Sequence, residues 1–463
     1  MQTSSIANLK RTDQTAFRPP PVGGGIVAPT QIASSLPGTQ FQDNPENQHL
    51  LIRSIIAIVL MLSVWVSFHP FKSAQEETTG GDIVNQLGFG FLMIVCIVTL
   101  ATLVDKKLLV GLIKPSYLAL GVMLILSVLI SSGIGASFRA MMFSVIVMMA
   151  ALTVMTLPRN IEQFAKFIAL GCLLTLAFSY FALLVYPQEA IHQAGGDEGQ
   201  HAGLWRGVYD HKNVASAVMA VFTMVGIFAW REKHRLLGAA VTALAMLFLL
   251  NSGSKTSLAL LPVAMFYTAF LAQIRSPISR FIFALAPLGI LFTITVGSAV
   301  LQPINNILQT IAPGTNFTGR LDLWQFSVDQ IAKYPFFGYG FENFWGTPAV
   351  TNSDQPIELT WDVREIVHGH NSYLDAAISF GLIGLGISIL ILILLPAADY
   401  AATQWQGPTA RLANLLMSIW IFTSLNACLE SFFFRRADPV WFCMLLAVFG
   451  LRLLATAQAR NRP

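Results

Sequence analysis

From Leu51 onward the chain is a succession of apolar runs, most of them near the roughly 20 residues of helix that cross the hydrocarbon core of a bilayer. Hydrocarbon offers backbone N–H and C=O groups no partner, so such a run predicts a helix, whose backbone bonds are internal. About twelve runs meet the length criterion: 51–68, 87–104, 117–134, 141–157, 164–186, 214–230, 236–250, 257–274, 281–300, 372–395, 412–428 and 440–454. With 54% hydrophobic and only 11% charged residues, the composition excludes a string of soluble domains. The fold class predicted is all-α, a polytopic helical membrane protein of about 12 transmembrane helices with one long loop outside the membrane.

The chain divides accordingly. Residues 1–50 are rich in Pro, Gly, Ser, Thr and Gln and read as a disordered tail. Lys10 and Arg11 are followed by no apolar run before residue 51, so a cleaved signal peptide is not expected, and the first apolar helix serves as the insertion signal. Spans fill 51–300 and 371–455, separated by the loop 301–370 and followed by a short tail at 456–463. Cys96, Cys172, Cys428 and Cys443 all sit in apolar runs without CxxC spacing or a nearby His, which predicts packing residues rather than disulfides or metal ligands.

Basic residues set the orientation. Lys106, Lys107 and Lys114, then Arg159 and Lys166, then Arg231, Lys233 and Arg235, then Arg275 and Arg280 alternate with less basic connections, so both termini are expected on the cytoplasmic side. The long loop falls on the outer side, and loops of such length are usually functional. Within it, Leu321, Trp324, Val328 and Ile331 recur at helical spacing, with Asp322, Gln325, Asp329 and Lys333 elsewhere on the wheel. This predicts an amphipathic helix ended by Pro335, lying on the membrane or covering the bundle. No internal repeat and no inverted pair of broken helices is visible.

Cations on the outer face run against the topology rule: Arg139, Arg206, Lys212, Lys255, Arg320, Lys333, Arg364, Arg435 and Arg436. Snorkelling, or pairing with Glu430 or Asp438, accounts for any one of them. Arg206 between Gly203 and Gly207, Lys255 in the turn "NSGSKTS", Arg320 after Thr318 and Gly319, and His370 before the tenth apolar run stand out by context. A bundle could bring them round one cavity, where guanidinium and ammonium groups suit phosphate. A membrane-anchored pyrophosphate is the economical ligand, because a departing diphosphate gathers negative charge that fixed cations stabilise. Ser372 and Asp375 have capping-box spacing, so a helix begins near Asn371 and places His370 at its N-terminus. There the ring tends to stay neutral, as a general base must. His368, His211, Lys212 and Asn371 are secondary candidates, and Gly381, Gly384 and Gly386 are expected to serve close helix packing.

These residues resemble the O-antigen ligase and O-antigen polymerase superfamily of bacterial envelope enzymes. His370 and Asn371, followed by Gly381 and Gly384, match its His-Asn-x9-Gly-x-x-Gly pattern. "TGRLDLWQFSVDQIAKYPFFGYGFENF" and "RGVYDHKN" are similar to two further family segments. The resemblance implies an inner-membrane, metal-independent, inverting glycosyltransferase without cofactor, using a glycan on undecaprenyl pyrophosphate at the periplasmic face. Arg206 and Arg320 would then hold the pyrophosphate with Lys255, and His370 would activate the acceptor hydroxyl. Lys255 stands where many members have Arg, and "SKTS" and "HKN" look similar to exopolysaccharide polymerases of the succinoglycan kind. A flippase and a chain-length regulator are implied partners; nucleic acid is not. Polymerisation of lipid-linked repeats, ligation of a finished glycan to lipid A core or another acceptor, and transport of a lipid-linked sugar are the three functions in view. A transporter is expected to carry ionisable residues or broken helices near the midplane.

Overall fold

The computed structural model describes residues 46–70, 82–194, 199–352, 362–403 and 405–460. All twelve expected runs fall on helices. They are α1 (Glu46–Trp65), α2 (Ile83–Leu103), a short α3 (Lys106–Leu112) leading into α4 (Pro115–Ile130), α5 (Ile134–Thr156), α6 (Ile161–Val185), α7 (Lys212–Arg231), α8 (Arg235–Ser252), α9 (Lys255–Leu271), α10 (Pro277–Val300), α13 (Ser372–Ala401), α14 (Gly407–Asn426) and α15 (Pro439–Arg460). Between α10 and α13 lie α11 (Gln302–Ile311) and α12 (Arg320–Lys333). Among the described residues there is no strand, and eight helices are long and apolar enough by themselves to cross a membrane. α3 and α4 form a ninth only as a pair bent by 73°. The chain is an all-α, multi-pass membrane protein. The expected disordered tail lies almost wholly outside the described residues.

The largest apolar cluster runs through the bundle, with α7, α14 and α15 most enclosed. The cysteines are free thiols buried in it. At one end of the bundle Arg53 donates to Leu157 O at 3.1 Å and Leu103 O at 2.6 Å, satisfying carbonyls at the C-terminal ends of α5 and α2 where a cation is favoured.

The amphipathic helix at 320–333 does not lie free on the membrane. Leu323, Trp324 and Ile331 of α12 are buried in a second cluster with Leu374, Ala377 and Ile378 of α13, so α12 covers the bundle. The helix that keeps an exposed apolar stripe is α11, where Ile307 is 60% and Ile311 78% exposed.

α13 breaks at Gly381, whose φ of 67° and ψ of −176° are not helical. The segment after α12 enters this break. Tyr339 N and Gly340 N donate to Ile378 O and Ser379 O at 2.8 and 3.1 Å, and Leu382 N donates to Pro335 O at 2.7 Å. The loop therefore uses carbonyls that the break frees, as irregular backbone at membrane depth requires. A Cβ at Gly381 would stand 2.2 Å from Phe336 O, and one at Gly338 2.3 Å from Ile378 O. Gly381 thus serves backbone interlocking rather than ordinary helix packing. Gly384 packs against Phe380 and Met123, whereas Gly386 meets nothing within 4 Å.

Candidate active site

The turn between α14 and α15 carries Glu430, which gathers residues from three other parts of the chain. Arg320 Nη2, at the first position of α12, lies 2.9 Å from Oε1. His370 Nδ1 lies 3.2 Å from Oε2. Asn213 Nδ2, in the first turn of α7, donates to Oε1 at 2.9 Å. Arg320, His370 and Glu430 retain only 14%, 18% and 17% side-chain exposure, so the charges meet in a largely desolvated place. Burial pushes the Glu430 carboxyl up, but Arg320 and then His370 outweigh it and hold it below the usual carboxylate range.

The residue before His370 is held at both its donor and its acceptor. Trp324 Nε1 donates to Gly369 O at 3.1 Å, while Gly369 N donates to Asp375 Oδ1 at 3.0 Å, and Trp345 Nε1 donates to the same oxygen at 2.8 Å. His370 sits at φ 48°, a left-handed conformation uncommon for a residue with a side chain and costing about 1–3 kcal/mol. Helix α13 starts where the spacing predicts, but the cap is Asn371 itself, whose side chain accepts from Tyr373 N and Leu374 N. Asp375 reaches back to Gly369, and Ser372 Oγ bonds Glu430 O at 2.8 Å. Before Arg320, Phe317, Thr318 and Gly319 all have positive φ, a tight turn that places the guanidinium at the start of α12.

The other predicted residues fall at different distances from this centre. His368 stacks beside His370, with ring centroids 4.2 Å apart. Burial, then Arg435 and His370, hold its pKa well below the ordinary imidazole value. Asn371 is fully buried and donates to Cys428 O, a scaffold position. His211 caps α7, accepting from Asn213 N at 3.1 Å, and so sets the residue that reaches Glu430. Its ring lies in a triangle with His192 and His201, centroids 5.2 to 5.7 Å apart. Lys212 is buried, and its N–H donates to His192 Nε2.

Arg206 and Lys255 are not joined to Glu430. Arg206 donates to Glu189 O and Asp210 O, at 2.6 and 3.0 Å, stabilising its own loop. The neighbouring Gly207, at φ 61°, is pressed against Phe248 and Ser179, whereas Gly203 meets nothing within 4 Å. Lys255 is exposed at the start of α9, whose first turn is fastened to α7 by Ser216 and Ser257, 2.9 Å apart. Glu430, Asn213 and Arg435 were missed as site residues. The signal for Glu430 and Arg435 is a charged segment, "LESFFFRRADP", wedged between two apolar helices, in which Glu430 counts only as a salt-bridge partner, whereas Asn213 ends the quoted "RGVYDHKN" segment.

A carboxylate fastened to Nδ1 fixes the imidazole tautomer with its lone pair on Nε2, the arrangement of an oriented general base. Two of the five Arg320 donors are used, on Glu430 and on Leu429 O at 2.5 Å. Nε of Arg320 and Nδ1 of His368 are buried without a hydrogen-bond partner among the described residues.

Residues 238–389 match a family described as O-antigen ligase, a stretch that contains Lys255, Arg320, His370 and Asn371. The chain is also similar to the exopolysaccharide production protein ExoQ of Rhizobium meliloti (strain 1021), 26% identical over 181 residues. That similarity covers 37% of this chain and 40% of the relative, so the two are alike over less than half of either length. Through this region, about a third of its length, the chain is similar to the O-antigen ligase family and to a protein of exopolysaccharide production.

Proposed function

We propose that the protein polymerises oligosaccharide repeats carried on undecaprenyl pyrophosphate at the periplasmic face of the inner membrane, with both termini cytoplasmic. The observation that carries this reading is the Glu430 carboxylate joined at once to the His370 ring and the Arg320 guanidinium. An acceptor sugar hydroxyl loses its proton to His370 Nε2 as its oxygen bonds the anomeric carbon of the donor glycan. The bond from that carbon to the pyrophosphate oxygen breaks with inversion, and its electron pair leaves with the carrier. Glu430 stabilises the imidazolium that forms, as a fixed carboxylate does for a histidine base. Arg320 turns its remaining N–H donors toward the leaving phosphate, where charge develops. Arg206 and Lys255 act further out, as cations near the carrier rather than as a clamp on the reacting bond.

Ligation of a finished glycan uses the same chemistry, and it is the second reading because the matched family is described as O-antigen ligase. The test is the glycan profile of cells whose only copy carries His370→Ala. Single repeats accumulating on the carrier lipid support polymerisation. Long chains retained on the carrier lipid support ligation, and an unchanged profile contradicts both.

A further inference from the structure

The turn joining α7 to α8 lies at the far end of these helices from Asn213 and the Glu430 cluster. It consists of Glu232, Lys233 and His234, and each is tied to a neighbouring helix. Glu232 is buried and pairs through both oxygens with Arg411 of α14. Lys233 Nζ lies 3.3 Å from the Glu162 carboxylate of α6, and His234 Nε2 lies 3.1 Å from the Glu162 carbonyl oxygen. Behind the turn α7 and α8 touch at Gly226 and Gly238, where a Cβ on either would stand 2.8 or 2.5 Å from the other's carbonyl oxygen. The hairpin is therefore rigid, and the acid in its basic run has been turned inward and neutralised.

What remains outside is cationic. Arg231 ends α7 and Arg235 begins α8, and both are exposed, with no carboxylate partner among the described residues. With Trp230 and Lys233 they line an open cavity of about 460 Å³. Leu236, next to Arg235, is 90% exposed, and Trp230 is half-exposed beside Arg231, an apolar and aromatic flank of the kind found where helix ends meet headgroups.

We propose that this cavity is a phosphate-group site occupied by an anionic phospholipid of the leaflet opposite the candidate active site. Two guanidinium forks on the two arms of a rigid hairpin suit phosphate oxygens. Lys233, half-committed to Glu162, adds charge without adding a fork. Leu236 and the flank of Trp230 lie where the glycerol and upper acyl chain of a bound lipid would run. Free phosphate would use the same forks but none of this apolar flank, so the lipid is the assigned source.

The test uses the full-length protein in detergent, with lipid retention read by native mass spectrometry for phosphatidylglycerol and for phosphatidylcholine of equal chain length. The wild type is expected to retain phosphatidylglycerol at roughly tenfold lower concentration than phosphatidylcholine, and Arg231→Gln/Arg235→Gln is expected to erase that preference. No preference in the wild type, or a preference intact in the double variant, overturns the site. Displacement of phosphatidylglycerol by millimolar inorganic phosphate overturns the lipid assignment in favour of a soluble phosphate. Should the double Gln variant fail to insert, Arg231→Lys/Arg235→Lys keeps the charge and loses the forks. Undiminished retention in that variant overturns the guanidinium assignment.

Discussion

His370 and Glu430 stand 60 residues apart in the chain and 3.2 Å apart in the structure, Nδ1 facing Oε2. The contact joins the start of α13 to the turn before α15, and Arg320 and Asn213 fasten the same carboxylate from two further segments. If the carboxylate orients the base, Glu430→Gln leaves the shape but weakens the hold on the tautomer and on the imidazolium. Glycan transfer by the purified protein is expected to fall by about 10²-fold or more, with insertion unchanged. Glu430→Ala is expected also to lower abundance, because it strands the buried Arg320 charge at a cost of about 3–5 kcal/mol.

Arg320 holds a carbonyl and a carboxylate with two different nitrogens, a geometry that a single ammonium cannot reproduce. Arg320→Lys is therefore expected to lose most transfer activity, nearly as much as Arg320→Ala. A Lys variant with wild-type turnover would show that only the charge matters.

Gly381→Ala tests the interlock of α13 with the 335–340 segment. The added Cβ meets backbone at Phe336 while φ is positive, so neither relaxation nor repacking accommodates it. Folded protein recovered from membranes should drop sharply, whereas Gly386→Ala, at a position with open space, should be silent.

His368 gives the pH dependence its sign. Its pKa is lowered in the folded protein, first by burial and then by Arg435 and His370. The unfolded chain takes up a proton near pH ~6.5 and the folded chain does not, so the stability is present above that pH and is lost as pH falls below it. The wild type should lose thermal stability on acidification below that point by up to about 1.4 kcal/mol per pH unit more than His368→Gln. Parallel curves would remove His368 as the cause. Glu430 has the depressed-acid sign, with stability present above its ordinary pKa of about 4.3 and lost only below it.

The helices were legible because bilayer thickness imposes one length on every span, and the start of α13 was legible because capping is local. Glu430 was not read as the hub, since nothing local marks a carboxylate that will meet groups 60, 110 and 217 residues away. The 320–333 helix was legible as amphipathic, but which of its two expected places it takes, on the membrane or over the bundle, was not. That helix and 302–311 both have an apolar stripe, and only tertiary structure decides that Trp324 is covered by protein while Ile307 and Ile311 are not. Arg206 also closes its own loop, donating through Nε and Nη1 to two carbonyls, a use that composition does not reveal.

The most direct test of the account is a double-mutant cycle on glycan transfer, with rates measured for the wild type, Glu430→Gln, His370→Ala and the double variant on one lipid-linked donor. If Glu430 acts through His370, the double variant should be no slower than His370→Ala alone. Losses that multiply, with the double variant slower than His370→Ala by the full Glu430→Gln factor, would contradict a joined base.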